Sequence, residues 1–350
     1  MTLREEIAEQ PAVVERLLAS ARPAVAAIAG EVGPRIATGE IDLVLVAARG
    51  SSDHAAIYAQ YLVGERLGLP VALAAPSLLS IYGAEPRMAR ALVVAISQSG
   101  RSPDVVGVVE SARRQGAPTV AITNDPASEL ARAAAHVVDL AAGPERSVAA
   151  TKTYTGQLVA VAMLVEALAG RDVADADFAR LPHAIAAAAS PESDRAAERV
   201  ARRLASHDRL IVIGRGYEYA TARELALKLK ELARVSADPY STADFLHGPL
   251  ALVEPGLPVL AIAPSGRAAA DVDAVLERLA GLGVERIVIS DRADALAAAG
   301  AGLSLPPGLP DRLMPIVSIV PGQLLALHVA LARGIDPEAP RWIEKVTLTR

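Results

Sequence analysis

The sequence predicts a parallel α/β fold built twice along 350 residues. Three observations carry that prediction. Short β-branched apolar runs alternate with longer Ala-rich helical stretches, as strands and crossover helices do in parallel sheets. Several of the runs are apolar throughout rather than alternating, as strands covered on both faces should be. Strand-end motifs also recur at a fixed offset. Arg49-Gly50 and Arg215-Gly216 lie 166 residues apart, as do Ser99-Gly100-Arg101 and Ser265-Gly266-Arg267, while Thr123-Asn124 and Ser290-Asp291 lie 167 apart. Three successive strand ends in register indicate a duplicated unit, and the length alone predicts two domains at roughly 150 residues each.

The elements follow in order. The opening stretch, MTLREEIAEQPAVVERLLAS, carries acids within its first ten residues and no apolar core, so it reads as a helix rather than a secretion signal. The first set of strands is Leu43–Ala47, Val71–Ala74, Leu92–Ile96, Thr119–Ile122 and Val137–Leu140. The second is Leu210–Ile213, Val259–Ile262 and Arg286–Ile289, with Leu303–Leu305 the weakest. A long helix from about Lys152 to Ala169 ends the first half. The boundary then falls near Gly170-Arg171-Asp172, giving domains 1–171 and 172–350. The Ala/Pro/Ser stretch Ala184 to Pro191 is too short for a free linker. Leu313 to Ala332 contains no Asp, Glu, Lys or Arg over 20 residues, about the length a bilayer requires. Pro315, Pro321 and Gly322 break its first half, and Gln323 and His328 interrupt the rest. A buried helix of about ten residues from Gln323 is the expectation, with no membrane partner.

Composition removes several function classes. Lys+Arg 35 against Asp+Glu 40 gives a net charge of −5 with no polybasic run, which excludes nucleic acid as an expected partner. A hydrophobic share of 52% excludes disorder for most of the length. Cysteine is absent, so a disulfide framework, thiolate metal sites and a cysteine nucleophile are excluded within this sequence. His54, His136, His183, His207 and His328 show no ligand spacing, so no metal site is expected. The expected location is the cytoplasm.

In doubly wound sheets ligands bind beyond the carboxyl ends of the strands. The first-half loops there are Arg49-Gly50-Ser51-Ser52 and Ser97-Gln98-Ser99-Gly100-Arg101-Ser102. Each precedes a helical pattern, so backbone N–H groups and several hydroxyls converge as an uncharged cradle for a phosphate monoester. Helix capping by Ser52 or Ser102 would need only one hydroxyl per helix, whereas the two loops supply five. The second half has Tyr217-Glu218 and Ala263-Pro264 at the matching places, and Pro264 lacks a backbone donor. One phosphate site per chain is therefore expected. The helix beginning at Thr221 places Glu224, Lys228 and Glu231 on one face. Spacing alone favours a solvated ion-pair stripe worth a few tenths of a kcal/mol per pair. His247, in Asp-Phe-Leu-His-Gly-Pro, stands at a turn where structural and functional roles are equally open. The polar tail from Trp342 to Arg350 reads as a fraying end, although the single tryptophan suggests that it is docked.

Taken together these motifs resemble the sugar isomerase (SIS) family with two tandem flavodoxin-like domains. They are most similar to the isomerase half of glucosamine-6-phosphate synthase and to its stand-alone deaminase relatives. The matching segments are RGSSDHA at 49–55, SQSGRSPD at 97–104, VAATKTYTGQL at 148–158, ALKLKE at 226–231, HGPLALV at 247–253 and QLLALHVALARG at 323–334. The resemblance implies that Ser52, Ser97, Gln98, Ser99 and Ser102 hold the sugar 6-phosphate, with Ser51 and Val148 also touching substrate. It implies Glu231 as the base moving a proton between C1 and C2, with Lys228 beside the sugar hydroxyls. His247 would open the sugar ring across a homodimer, and Lys345 would form a Schiff base with a ketose. No cofactor is implied. The synthase has a glutaminase half with an N-terminal cysteine, which this sequence lacks, so glutamine-dependent synthesis is not expected. The loop Ser-Gly-Arg-Ser and the tail Lys345-Val346-Thr347 look like those of the stand-alone glucosamine-6-phosphate deaminases. The expected reaction is glucosamine 6-phosphate plus water to fructose 6-phosphate plus ammonia. Alternatives are another amino-sugar phosphate of galactosamine or fructosamine type, a synthase-like isomerase using free ammonia, and a non-catalytic phosphosugar sensor.

Overall fold

The computed structural model describes residues 2–345 and contains two five-stranded, all-parallel sheets among them. Helices α1 (Leu3–Ser20) and α2 (Arg22–Ala37) lead into β1 (Leu43–Ala47), α3 (Ser51–Leu67), β2 (Val71–Leu73), α4 (Ser77–Ser80) and β3 (Ala91–Ser97). Then come α5 (Pro103–Arg114), β4 (Thr119–Thr123), α6 (Glu129–Ala133), β5 (His136–Asp139) and α7 (Lys152–Leu168). The second series is α8 (Ala176–Ala188), α9 (Pro191–Leu204), β6 (Arg209–Gly214), α10 (Glu218–Ala233), β7 (Ser236–Ser241) and α11 (Thr242–Leu246). It ends with β8 (Pro258–Ile262), α12 (Ala269–Ala280), β9 (Glu285–Ser290), α13 (Ala293–Ala298), β10 (Ala301–Ser304) and α14 (Met314–Ala332).

The strand orders are β2-β1-β3-β4-β5 and β10-β9-β8-β6-β7. Read from the matching edge these are one topology, the 2-1-3-4-5 order of flavodoxin-like sheets, so the sequence repeat is a structural duplication. Strand starts keep the offset: Leu43 of β1 corresponds to Arg209 of β6, and Thr119 of β4 to Glu285 of β9. The chain divides into two compact units, one of residues 12–145 and 152–179 with Glu344 and Lys345, the other of residues 2–11, 146–151 and 180–343.

In the first unit β3 and β4 are buried at every position, which explains their unbroken apolar runs. The layer beneath them packs Val93, Ala95 and Ala121 against Val105, Val108 and Val109 of α5. In the second unit Val259 and Ala261 of β8 meet Val272, Val275 and Leu279 of α12 in the same way. Pro103 and Pro191 stand in the first turns of α5 and α9, where a missing N–H costs nothing.

Two elements depart from the sequence expectation. β7, Ser236-Ala-Asp-Pro-Tyr-Ser241, is polar and carries Pro239, so its sequence does not read as a strand. Among the described residues it pairs only with β6, at the sheet edge, where a strand proline leaves no ladder bond unmade. The apolar segment expected to start near Gln323 is one helix, α14, that runs through Pro321 from Met314 to Ala332. It is buried from Met314 to Ala330, with α9 and α10 packed on it, so it meets protein rather than lipid.

Candidate active site

In the first unit the loops leaving β1 and β3 flank the point where strand order reverses, the place where open α/β sheets form a ligand crevice. Ser51 opens α3, with Gly50 at its N-cap, and Ser102 is the N-cap of α5; neither helix has a side-chain cap. The Ser102 hydroxyl is thus not spent on capping. Ser52 is buried and accepts from Gln157 Nε2 of α7 at 2.9 Å, which fixes its rotamer. Ser97 is buried and its Oγ accepts the Gly100 N–H at 3.1 Å, while Ser99 Oγ accepts the Arg101 N–H at 3.4 Å. The carbonyl of Gln98 takes the Asn124 N–H at 3.1 Å, tying the loop to the end of β4. A side chain at Gly100 would be strained: its φ is +62°, and a Cβ there would lie 2.1 Å from Ser128 Oγ. Ser51, Ser52, Ser97, Gln98, Ser99 and Ser102 are therefore brought to one end of one sheet.

The cradle is not free of charge, contrary to the sequence reading. Arg49 donates from Nε at 2.9 Å to Asp104 Oδ2 on the first turn of α5, with its other nitrogen at 2.7 Å. The Asp104 carboxylate is buried and Arg49 is half exposed, so the pair ties the two loops together and leaves a guanidinium edge facing solvent. Both residues stand in the matched loop segments, but they are 55 positions apart and only the fold pairs them.

The matching loops of the second unit have turned inward. Ser265 donates its N–H to Asp291 Oδ1 at 2.6 Å and its hydroxyl to Asp291 Oδ2 at 2.5 Å. Arg267 N–H reaches Asp311 Oδ2 at 3.4 Å, and a Cβ on Gly266 would strike the Asp311 Cβ at 2.7 Å. The donors that could take a phosphate are thus occupied by the chain's own carboxylates. Glu218, at the place of Ser52, is buried, with Ser318 Oγ donating to Oε1 at 2.8 Å and, among the described residues, no donor bonded to Oε2. Burial pushes its carboxyl up to about 7; the hydroxyls of Thr221 and Ser318 draw it back, and the charges of Asp291 and Asp311 push the same way as burial.

Also in the second unit, α10 carries the charged face. Lys228 is 1% exposed, Glu224 fully buried and the Glu231 side chain 23% exposed. Lys228 Nζ lies 2.5 Å from Glu231 Oε2 and 3.3 Å from Glu224 Oε1. Burial acts to lower the lysine pKa, but the two carboxylates outweigh it and hold it above the ordinary value. The solvated stripe suggested by spacing is thus a buried cluster whose single outlet is Glu231. His247 caps α11 through its backbone N–H to Asp244 at 3.1 Å, and its side chain is exposed. Val148 lies half-buried in an irregular segment.

The tail is anchored at a different residue from the one expected. Trp342 is 98% exposed, whereas Lys345 donates from Nζ to Glu145 Oε2 at 2.6 Å within the first unit. Val346 and Thr347 of the tail motif lie outside the described residues. Glu145 had no signal in the sequence, since it is 200 residues from Lys345.

The SIS domain family matches residues 41–167 and again 203–333. Among curated proteins, the glutamine–fructose-6-phosphate aminotransferase (isomerizing) of Methanothermobacter thermautotrophicus is 35% identical over 88% of this chain and 52% of its own length. The enzyme of the same name from Thermococcus kodakarensis is 34% identical over 97% and 57%. The chain spans about half the length of these relatives. Among solved structures, a candidate phosphosugar isomerase from Silicibacter pomeroyi superposes with a TM-score of 0.84 at 38% identity, covering 96% of this chain and 99% of its own. The C-terminal domain of glucosamine-fructose-6-phosphate aminotransferase from Francisella tularensis follows at 0.80 and 26%, covering 95% and 96%. A glucosamine-6-phosphate deaminase from Thermotoga maritima shares the fold at 0.73 and 22%, covering 96% and 100%.

Proposed function

Because the chain belongs to the SIS domain family, we propose that it is a phosphosugar isomerase that deaminates its substrate, converting glucosamine 6-phosphate and water to fructose 6-phosphate and ammonia. The observation that carries this reading is the buried Glu224–Lys228–Glu231 cluster with Glu231 as its one partly exposed carboxylate. Proton transfer between adjacent carbons needs a base that is ionised, held rigidly and open on one side. Lys228, whose ammonium is stabilised by two carboxylates, keeps a positive charge against Glu231. In the open-chain sugar the C1 aldehyde acidifies the C2 proton. Glu231 takes that proton to give an enolamine, which is reprotonated at C1. The resulting C2 imine is hydrolysed by water to the ketose and ammonia. The cradle built on Ser52, Ser97, Gln98, Ser99 and Ser102 holds the 6-phosphate, and Ser51 and Val148 touch the substrate beside it. His247, exposed on its turn, opens the ring in the neighbouring subunit of a cytoplasmic homodimer, and Lys345 forms an imine with the ketose.

The relatives' name supports the isomerising step. The test is a panel of amino-sugar 6-phosphates assayed for ammonia, without added metal. Ammonia together with fructose 6-phosphate from glucosamine 6-phosphate is the expected result. Ammonia from a different phosphosugar alone overturns the substrate, and ammonia from none overturns the activity.

A further inference from the structure

The side chain of Glu145 is fully buried, yet it lies in an irregular segment between β5 and α7. A carboxylate placed there without partners would cost several kcal/mol, so its ligands define its role. Thr153, in the first turn of α7, supplies two: its N–H reaches Oε1 at 3.1 Å and its hydroxyl reaches Oε2 at 2.7 Å. These bonds hold the carboxylate plane in one orientation. Lys345 Nζ then donates to Oε2 at 2.6 Å, with its own side chain 22% exposed. Three residues earlier Trp342 is almost wholly in solvent.

From this geometry we infer that Glu145 is the positioning residue of the tail: pre-oriented by Thr153, it docks Lys345 and so sets where the amine stands when it meets a ketose. The last part rests on the reading of Lys345 proposed above; the docking itself does not. A charge-assisted bond to a buried, already oriented carboxylate is the strong kind. It also fixes Lys345 without an apolar anchor. A carboxylate whose only task were to hold the first turn of α7 would be satisfied by Thr153 and indifferent to the tail.

Trp342, the one tryptophan, reports tail motion directly. In the full chain, Glu145→Gln should lower Trp342 fluorescence anisotropy to the value of Lys345→Ala, and the double variant should add nothing. Cyanoborohydride trapping of fructose 6-phosphate on Lys345 should fall by about tenfold in Glu145→Gln, the loss expected for one bond to a charged group. Fructose 6-phosphate affinity by calorimetry should change by less than about threefold, and Glu145→Asp should recover part of the trapping. Should Glu145→Gln fail to fold, Lys345→Ala alone decides, because the core residue is untouched. Unchanged anisotropy in Lys345→Ala, or effects that add in the double variant, overturns the docking role. Unchanged trapping in a folded Glu145→Gln chain overturns the positioning role. A wild type that traps no sugar removes the imine reading of Lys345, while the anisotropy comparison still decides whether Glu145 holds the tail.

Discussion

Replacing Glu218 with Gln should make the protein more stable in mild alkali and change its stability little in mild acid. The carboxyl is buried, receives one hydrogen bond from Ser318, and is pushed from 4.5 to about 7 chiefly by burial. In the unfolded chain it releases its proton near the ordinary value, whereas the folded chain retains it up to about 7. Between those values the folded state binds more protons, so stability falls as pH rises. The contribution is fully present below about 4.5 and gone above about 7. At about 1.4 kcal/mol per pH unit, the gap corresponds to a ceiling of about 3 kcal/mol. Gln keeps the shape and does not titrate. Urea unfolding of both chains from pH 5 to 8 is the assay, since other titrating groups cancel in the difference. Wild type should lose about 1–3 kcal/mol more than Glu218→Gln across that range. Parallel profiles would mean that Glu218 ionises in the folded state as easily as in the unfolded one, and the account of burial would fail.

Glu231→Gln should retain sugar-phosphate binding while turnover falls by roughly 10²-fold or more. In deuterated water wild type should place deuterium at C1 of fructose 6-phosphate, and near-normal exchange in the variant would move the base to Glu224 or His247. Ser97→Ala with Ser99→Ala should weaken 6-phosphate binding by about 1–3 kcal/mol, read by calorimetry. Gly100→Ala, forced onto Ser128 at a positive φ, should destabilise the first unit by about 1–3 kcal/mol and impair the same binding; an unchanged melting temperature would contradict the packing. Mixing inactive His247→Ala chains with inactive Glu231→Gln chains should restore part of the activity, because a hybrid dimer contains one intact site. Hybrids that form and stay inactive would return His247 to its own chain.

Much of the fold was legible because its signals are local. β3, β4 and β8 are buried at every position and carry unbroken apolar runs, as burial on both faces demands wherever the strand stands. The loops are legible for the same reason: Ser97-Gln98-Ser99-Gly100 shows its hydroxyls without reference to anything distant. β7 was hidden because an edge strand tolerates polar residues and Pro239, and α14 because its proline is carried by packing.

The sequence by itself determined the duplicated α/β plan, the hydroxyl-rich loops of one copy and their loss in the other. Those properties are written in period and turn chemistry, which neighbouring residues decide among themselves. Tertiary structure alone decided which charges lost their water. The spacing of Glu224, Lys228 and Glu231 is the same for a solvated stripe and a buried cluster, and only the packing around α10 distinguishes them. Asp291 and Asp311 fill the second cradle, and Glu145 meets Lys345, across separations that no local pattern records. A charge's worth depends on the dielectric around it and on the partner within reach, and the folded chain sets both.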